Sequence, residues 1–209
     1  MIVLVSLASC VHENSKSSNQ AGDPLLPGDR KSMNKKTLEW LMEAPFSDPN
    51  LMESKPDFSY EDWFSRGRAL PGGVETLTEF LENEDLTHPS GNGMRTAYAL
   101  GWIGDGRERT VNSLLRSIGS TDTALRMEAV AALGRLKATK TTSRLESLAL
   151  DPDEDVNVRA NACISIGLLR VESSEPKLRR LQNDSDSFVA QCATEGLRLF
   201  KDPSPVKNL

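Results

Sequence analysis

The hydrophobic and polar positions along this chain repeat with a spacing of 33 residues. The segment 126–136 returns as 159–169, with Arg, Ala, Leu or Ile, and Gly in equivalent places, and a third copy covers 97–105. A fixed period of this length is typical of stacked-repeat proteins, in which each unit is too small to bury its apolar face alone. The pattern therefore predicts a row of similar units that share a continuous core.

Within each unit the apolar residues recur at helical spacing and predict two helices. The first helix carries the Ala, Leu and Gly signature, and the second carries Leu115, Leu148 and Leu181, which are again 33 residues apart. The turns between units are rich in Asp, Asn, Ser and Thr. Side-chain oxygens of these residues accept hydrogen bonds from the unpaired N–H groups that open a helix, so the turns are predicted to cap the next unit.

The pattern weakens towards both ends of the repeated region, as expected where one side of a stack faces water. A degenerate first unit is predicted from residue 59, with Gly67 in the place of Gly101. The last copy begins at Val189 and has Arg198 where the earlier copies have glycine. Both end units are therefore predicted to act as caps of the stack.

Composition divides the chain into five segments. An apolar stretch at 1–9 precedes a polar segment at 10–32, which has too little apolar content to fold and is predicted to be a disordered tether. A short helix and a Pro-rich loop are predicted at 33–58. The repeat domain is predicted at 59–200 and a disordered tail at 201–209.

The short helix is predicted from an amphipathic pattern. Leu38, Leu41 and Met42 fall on one face of a helix at this spacing. Three prolines between residues 45 and 56 then break the chain into a loop.

Composition and net charge limit the class of partner. The chain has 209 residues, a formal charge of −5 and an isoelectric point near 5.2. Binding to nucleic acid by bulk attraction requires clustered cations along a phosphate track, so no nucleic acid partner is expected. Aromatic residues make up only 5% of the chain, and Leu and Ala dominate the repeats, which favours packing of helix on helix.

The chain has few residues suited to catalysis or metal binding. Its histidines are His12 and His88, and neither they nor the three cysteines have the spacing of a zinc site or a redox motif. No catalytic residue, metal site or cofactor is expected. Cys163 and Cys192 fall within helical patterns and are predicted to be buried small side chains, without a disulfide between them.

Two short motifs imitate ligand sites and are better explained by the repeat. The glycine-rich segment 101–106 follows a helical pattern, whereas a dinucleotide-binding loop follows a strand, so a turn is predicted there. Asp151, Asp153 and Asp155 imitate the start of a calcium loop, but the glycine and the last carboxylate of that loop are missing. We interpret these aspartates as caps between repeats.

The repeat resembles the HEAT repeat, most closely the short-period form known from phycobilisome lyase subunits. The resemblance rests on Val or Leu before Arg, then Ala, a Leu or Ile with Gly, a second helix and an Asp-rich turn. It is strong from about residue 93 to residue 200 and weak from 59 to 86. It implies an all-α, right-handed solenoid of about four helix pairs. It also implies that Arg126 and Arg159 bond to carboxylates and carbonyls of neighbouring turns.

The N-terminus resembles the lipobox of bacterial lipoproteins. Residues 7–10, Leu-Ala-Ser-Cys, follow the apolar stretch and precede the tether. In lipoproteins the chain is cut before this cysteine, which receives lipid, so the resemblance implies a signal-peptide remnant at 1–9 and lipid attachment at Cys10. The apolar stretch is short and lacks a preceding Lys or Arg. Either the true start lies upstream of Met1, or the match is fortuitous on a cytosolic protein.

These features favour a non-catalytic module that binds a protein or a peptide. Stacked repeats present an extended concave face, built by the second helices, that suits such partners better than small substrates. A lipid anchor implies a place in the cell envelope, facing the periplasm. The alternatives are a cytosolic HEAT-repeat scaffold and a lyase-like or regulatory subunit that acts on a protein partner.

Charged residues at outward positions of the second helices form the candidate partner site. They run from acidic to basic along the chain: Glu75, Glu79, Arg116, Arg144, Lys177 and Arg180. Two interpretations are open, namely solvated faces that keep the protein soluble, or a docking surface for an acidic region of a partner.

Overall fold

A computed structural model describes residues 34–44 and 58–202, and all regular structure within these ranges is helical. The helices are α1 (Lys35–Glu43), α2 (Tyr60–Ala69), α3 (Gly73–Asn83), α4 (Gly91–Ile103), α5 (Glu108–Ser117), α6 (Thr123–Arg135), α7 (Thr142–Leu150), α8 (Val156–Leu169), α9 (Glu175–Leu181) and α10 (Ser187–Lys201). Short 3₁₀ turns at Thr139–Thr141 and Glu172–Ser174 lead into α7 and α9. The predicted all-α class is confirmed.

Several predicted features lie outside the described residues. These are the signal-peptide remnant at 1–9, the tether at 10–32 with Cys10, most of the Pro-rich loop and the tail from residue 203. The predicted short helix lies inside, as α1. Within the described ranges, no helix combines the length and the apolar character needed to cross a bilayer.

In sequence order, the helices from α2 to α9 make four successive pairs. The first helices have 10 to 14 residues and the second helices 7 to 11. Leu115, Leu148 and Leu181 all fall in second helices, as predicted. The last helix, α10, follows as a first helix without a second one in the described chain.

The chain forms two compact units, and their boundary, after Ala132, falls inside α6. In the described part of the first unit, α1 packs on α2, and α3 packs on α4 and α5. In the second unit, α8 packs between α7 and α10, and α9 packs against α10.

Aspartates in the turns start successive first helices. Asp122, Asp155 and Asp186 each accept a hydrogen bond from the N–H two residues later, at 2.8, 2.8 and 2.9 Å. A carboxylate at this place satisfies an unpaired donor and also favours the positive end of the helix dipole. The interpretation of these turns as caps is confirmed.

The first helices of the second unit approach so closely that only glycine fits at their contact. A Cβ atom built on Gly167 in α8 would overlap the backbone carbonyl of Gly196 in α10. A Cβ atom on Gly196 would in turn overlap the carbonyl oxygen of Cys163. Backbone therefore lies against backbone at the α8–α10 contact, and the two small residues permit this separation.

This contact agrees with the prediction that the last copy has Arg198 in the place of the repeat glycine. Arg198 lies 31 residues after Gly167, and Gly196 lies 31 residues after Ser165. A Cβ atom on Gly134 would overlap Ser165 in the preceding pair of first helices, so Gly196 meets Gly167 in the place that Ser165 has against Gly134. Arg198, which was predicted to replace the glycine, is exposed.

In the first unit a pair of tryptophans joins α1 to α2. The rings of Trp40 and Trp63 stack with their centroids 4.2 Å apart, and each indole Nε1 donates to the backbone oxygen of the other at 2.8 Å. Gly67 makes room for the ring of Trp40, because a Cβ atom there would overlap it. The pair buries two large rings without leaving either indole N–H unpaired.

The apolar face predicted for α1 is wrong in part. Leu41 is buried, but Met42 is 45% exposed and Leu38 is half-buried. Trp40, which lies outside the predicted face, is 3% exposed. The helix is turned towards Trp40 because burial of the stacked indole removes more apolar surface from water than burial of Met42.

We expect Gly167→Ala to destabilise the second unit by about 1–3 kcal/mol or more, because the added methyl group meets backbone and not a movable side chain. Urea unfolding followed by circular dichroism measures this loss. Trp40, Trp63 and Trp102 all lie in the first unit, so tryptophan fluorescence reports separately on that unit.

The control is Gly91→Ala at the start of α4, where a Cβ atom meets nothing within 4 Å. It is expected to be neutral or slightly stabilising. Equal unfolding midpoints for Gly167→Ala and the wild type would contradict the backbone contact described for α8 and α10.

Candidate functional site

A nearly buried ion pair ties the second unit together. The side chains of Arg159 in α8 and Asp184 in the turn before α10 are 8% and 12% exposed, and Nη2 lies 2.5 Å from Oδ2. Arg159 Nε also donates to the carbonyl of Ala149 at 3.3 Å, and Asp184 accepts from the N–H of Asp186 at 3.0 Å. Burial raises the pKa of Asp184, but these hydrogen bonds outweigh it, so the pKa lies below its usual range.

The equivalent arginine of the first unit bonds to its own turn. Arg126 Nη1 donates to the carbonyl oxygens of Ser120 and Thr121 at 3.0 and 3.4 Å. Both repeat arginines therefore hold turns and helix ends, and their expected structural role is confirmed.

Three of the predicted partner-binding residues lie in the first unit. Glu75 Oε1 lies 3.4 Å from Arg107 Nη1. Arg116 donates to the carbonyl oxygens of Leu81 and Glu84 at 3.0 and 2.8 Å, which satisfies acceptors at the C-terminal end of α3. Glu79 is exposed, and no hydrogen bond or ion pair of its carboxylate is found within the described residues.

The acidic face of α3 is matched by arginines at the start of α5. Arg109 makes two hydrogen bonds to the carboxylate of Glu82, at 2.8 and 2.6 Å. The hydrogen bond to Arg109 lowers the pKa of Glu82 and raises that of Arg109. The pair of Glu82 and Arg109 was not predicted, although Arg107 and Arg109 at the start of the next second helix were a signal for it.

The other three predicted residues lie in the second unit, where Lys177 has a structural partner. Its Nζ contacts Glu146 of α7, which is 8% exposed and also accepts from the hydroxyl of Ser174 at 2.7 Å. A buried carboxylate requires such partners, so Lys177 joins α9 to α7. The role of Glu146 was not predicted, because it lies among the apolar residues of α7.

Arg144 in α7 and Arg180 in α9 differ from the other basic candidates. Both side chains are exposed, and neither has a hydrogen bond or an ion pair within the described part of the second unit. Arg180 borders a cleft of about 370 Å³, which is lined by Leu150, Arg180, Leu181, Asn183, Asp184 and Ser185.

The described cysteines and histidine are not arranged for nucleophilic catalysis. Cys163 and Cys192 are buried and form no disulfide, as predicted. Burial raises the pKa of the Cys163 thiol to about 12, so it stays protonated. His88 lies exposed in a loop, with Nδ1 3.6 Å from Asp85. Hydrogen bonds from the hydroxyl and N–H of Thr87 lower the pKa of Asp85 to about 2.

Residues 74–157 match the family model of HEAT repeats. This segment of the chain is similar to HEAT repeats. The match extends from α3 into the beginning of α8, and with the helix pairs it establishes an α-solenoid fold class. HEAT repeats generally serve as scaffolds for protein–protein interaction. No curated protein matches the sequence. Among the described residues, no group of His, Cys, Asp and Glu is placed to hold a metal ion.

We expect Asp184→Asn to destabilise the second unit by about 3 kcal/mol, because Arg159 would stay nearly buried without its counter-ion. Chemical unfolding at neutral pH measures the loss. The control is Glu195→Gln, which breaks the exposed pair with Arg198 and is expected to cost less than about 0.5 kcal/mol. Similar costs for the two variants would contradict the structural role of Asp184.

The same pair predicts a pH dependence. Since the folded pKa of Asp184 is depressed, its ionisation contributes stability that is present above the unfolded pKa, about 3.9, and is lost as the pH falls through the folded value. The stability difference between wild type and Asp184→Asn is therefore expected to shrink as the pH is lowered from about 5 towards 2. A constant difference would show that the carboxylate is not stabilised by folding.

Proposed function

We propose that this HEAT-like protein is a non-catalytic scaffold that binds a protein or peptide partner through its second helices. The observation that carries the proposal is the pair Arg144 and Arg180. They lie exposed on successive second helices of one unit, α7 and α9, and have no partner within the described chain. Arg116 and Lys177 already hold the fold together, so the proposed surface is limited to these two arginines.

Arginine is well suited to this role. The guanidinium group is always charged, is more weakly hydrated than an ammonium group and matches the geometry of a carboxylate with two parallel hydrogen bonds. Two such groups lie exposed on the neighbouring helices α7 and α9 of a chain with a net charge of −5. An acidic region of a partner is the complement that this surface favours. The competing explanation is that the arginines only improve solubility.

We also propose that a lipid at Cys10 presents the repeats from a membrane of the cell envelope, on the periplasmic side. In the described structure, α1 is held against the helices that follow it. Asn34 Nδ2 donates to Thr76 Oγ1 at 3.0 Å, and Arg95 Nη1 donates to the carbonyl of Ala44 at 3.1 Å, so both ends of α1 are held. The alternative location is the cytoplasm.

Cys10→Ser is expected to move the protein from the membrane fraction to the soluble fraction. Stable anchoring requires more than one acyl chain, each contributing about 0.8 kcal/mol per buried CH₂, and all chains at Cys10 are lost with the thiol. Fractionation and mass spectrometry of the mature N-terminus measure both effects. A soluble wild type that still begins at Met1 would exclude the anchor, and Cys163→Ser serves as a control for loss of a thiol elsewhere.

Arg144→Glu combined with Arg180→Glu is expected to abolish capture of the partner by the intact protein. The assay is affinity purification from solubilised native envelopes, followed by reconstitution with the purified partner. Both positions are exposed, and substitutions at exposed positions usually change stability by no more than about 0.5 kcal/mol. The melting temperature of the double variant should therefore equal that of the wild type. Lys177 is left unchanged because a glutamate there would face the buried carboxylate of Glu146.

The matched control is Lys140→Glu combined with Lys201→Glu, which reverses two exposed cations of the same unit. This control should capture the same partner as the wild type. If all three proteins capture the same set, Arg144 and Arg180 serve solubility alone and the proposed surface is excluded.

A further inference from the structure

The cleft beside Arg180 combines an apolar floor with polar groups at its edge. Leu150, which is half-buried, and Leu181, which is 3% exposed, end α7 and α9 and form the floor of the cleft. Arg180, Asn183 and Ser185 are exposed around it. Its volume, about 370 Å³, lies at the lower end of the range found for ligand pockets, ~300–1,000 Å³. The space is sufficient for one or two side chains of a bound segment.

The positive charge of Arg180 is not neutralised by the other residues that line the cleft. Asp184 is the only carboxylate among its lining residues, and it is already bonded to Arg159 and to the N–H of Asp186. The carbonyl oxygens of Arg180 and Leu181 at the end of α9 accept from the turn N–H groups of Asn183 and Asp184 at 3.1 Å. These acceptors are therefore engaged, and the positive charge of Arg180 stays without a counter-ion in the described unit.

The surroundings of Arg180 select among anions. The guanidinium group of Arg180, the amide of Asn183 and the hydroxyl of Ser185 offer several hydrogen-bond donors. A single carboxylate can accept from more than one of them. Leucine side chains beside these donors favour an anion attached to hydrocarbon over a fully hydrated phosphate or sulfate. Arg144, on the neighbouring helix α7, adds a second cation on the same unit and favours a ligand with more than one acidic group.

We propose that this cleft binds the side-chain carboxylate of a glutamate or aspartate within an acidic peptide segment, with an adjacent apolar residue against Leu150 and Leu181. Arg180 binds the carboxylate, and Asn183 and Ser185 donate to it. The assignment rests on the proposed scaffold function and names the chemistry of its partner.

The test is fluorescence anisotropy with the purified full-length chain and synthetic peptides. The acidic probe carries two glutamate–leucine pairs separated by glycine and serine, and its C-terminus is amidated. A second probe has glutamine in place of each glutamate. A third has glutamine throughout but a free C-terminal carboxylate after leucine, so it tests whether a chain terminus is the true ligand.

The acidic probe is expected to bind the wild type with one-to-one stoichiometry and more weakly as salt is raised, because screening shortens to ~8 Å at physiological ionic strength. Arg180→Met, which keeps the aliphatic stem, should weaken binding at least tenfold. Arg180→Lys should retain part of the affinity, because it keeps the charge but loses the paired donors. Lys201→Glu is the matched control and should bind like the wild type.

Three results would overturn the assignment: no binding of the acidic probe, equal binding of the glutamine probe, or unchanged affinity in Arg180→Met with an unchanged melting temperature. Binding of the third probe alone would replace the side-chain carboxylate by a chain terminus and also overturn it. The scaffold function is judged separately by the partner capture of the Arg144→Glu and Arg180→Glu double variant. If the peptide probes exclude the cleft but the double variant loses the captured partner, the partner contacts the two arginines outside the cleft.

Discussion

The second unit depends on the close approach of α8 and α10. Gly167 and Gly196 bring the two backbones into contact, and no side chain could occupy the space between them. Such a contact has one register, because any slide along the helix axis places a larger residue against the opposing backbone. The first unit uses the same device in another form, where Gly67 admits the ring of Trp40. In both units, a glycine on a first helix permits a close approach to a neighbouring helix.

The charged residues of the protein divide by whether the fold uses them. Arg159 with Asp184, and Lys177 with Glu146, join elements of the second unit and have at least one partner largely shielded from water. Buried or partly buried charges of this kind must be paired, because desolvation otherwise disfavours them. Arg144 and Arg180 have no such task within the described chain. The proposed partner surface is therefore limited to Arg144 and Arg180, and the proposed cleft is the one that Arg180 borders.

The periodic pattern of the sequence was sufficient to predict the helix pairs and the capping aspartates, and the resemblance to HEAT repeats added the turn-binding role of the arginines. These features are local or repeat at a constant interval, so each copy supports the interpretation of the next. An aspartate two residues before a first-turn N–H caps that helix whatever the rest of the chain does, as at Asp122, Asp155 and Asp186. The burial of Cys163 and Cys192 followed in the same way from their place on helices rich in small residues.

Tertiary structure alone decided the features that depend on contacts between distant residues. The contact between Gly167 and Gly196 could not be predicted from the repeat, because the residue in the equivalent place of the preceding copy is Ser165 and not glycine. The rotation of α1 towards Trp40 required knowledge of the stacked partner, Trp63. Likewise, the sequence determined that Lys177 and Arg180 share a short helix. Only the packing of α9 on α7 shows that Lys177 meets Glu146, whereas Arg180 borders an open cleft. The physical reason is that periodicity specifies which face of a helix is apolar, while pairing of charges depends on the residues the neighbouring helix presents.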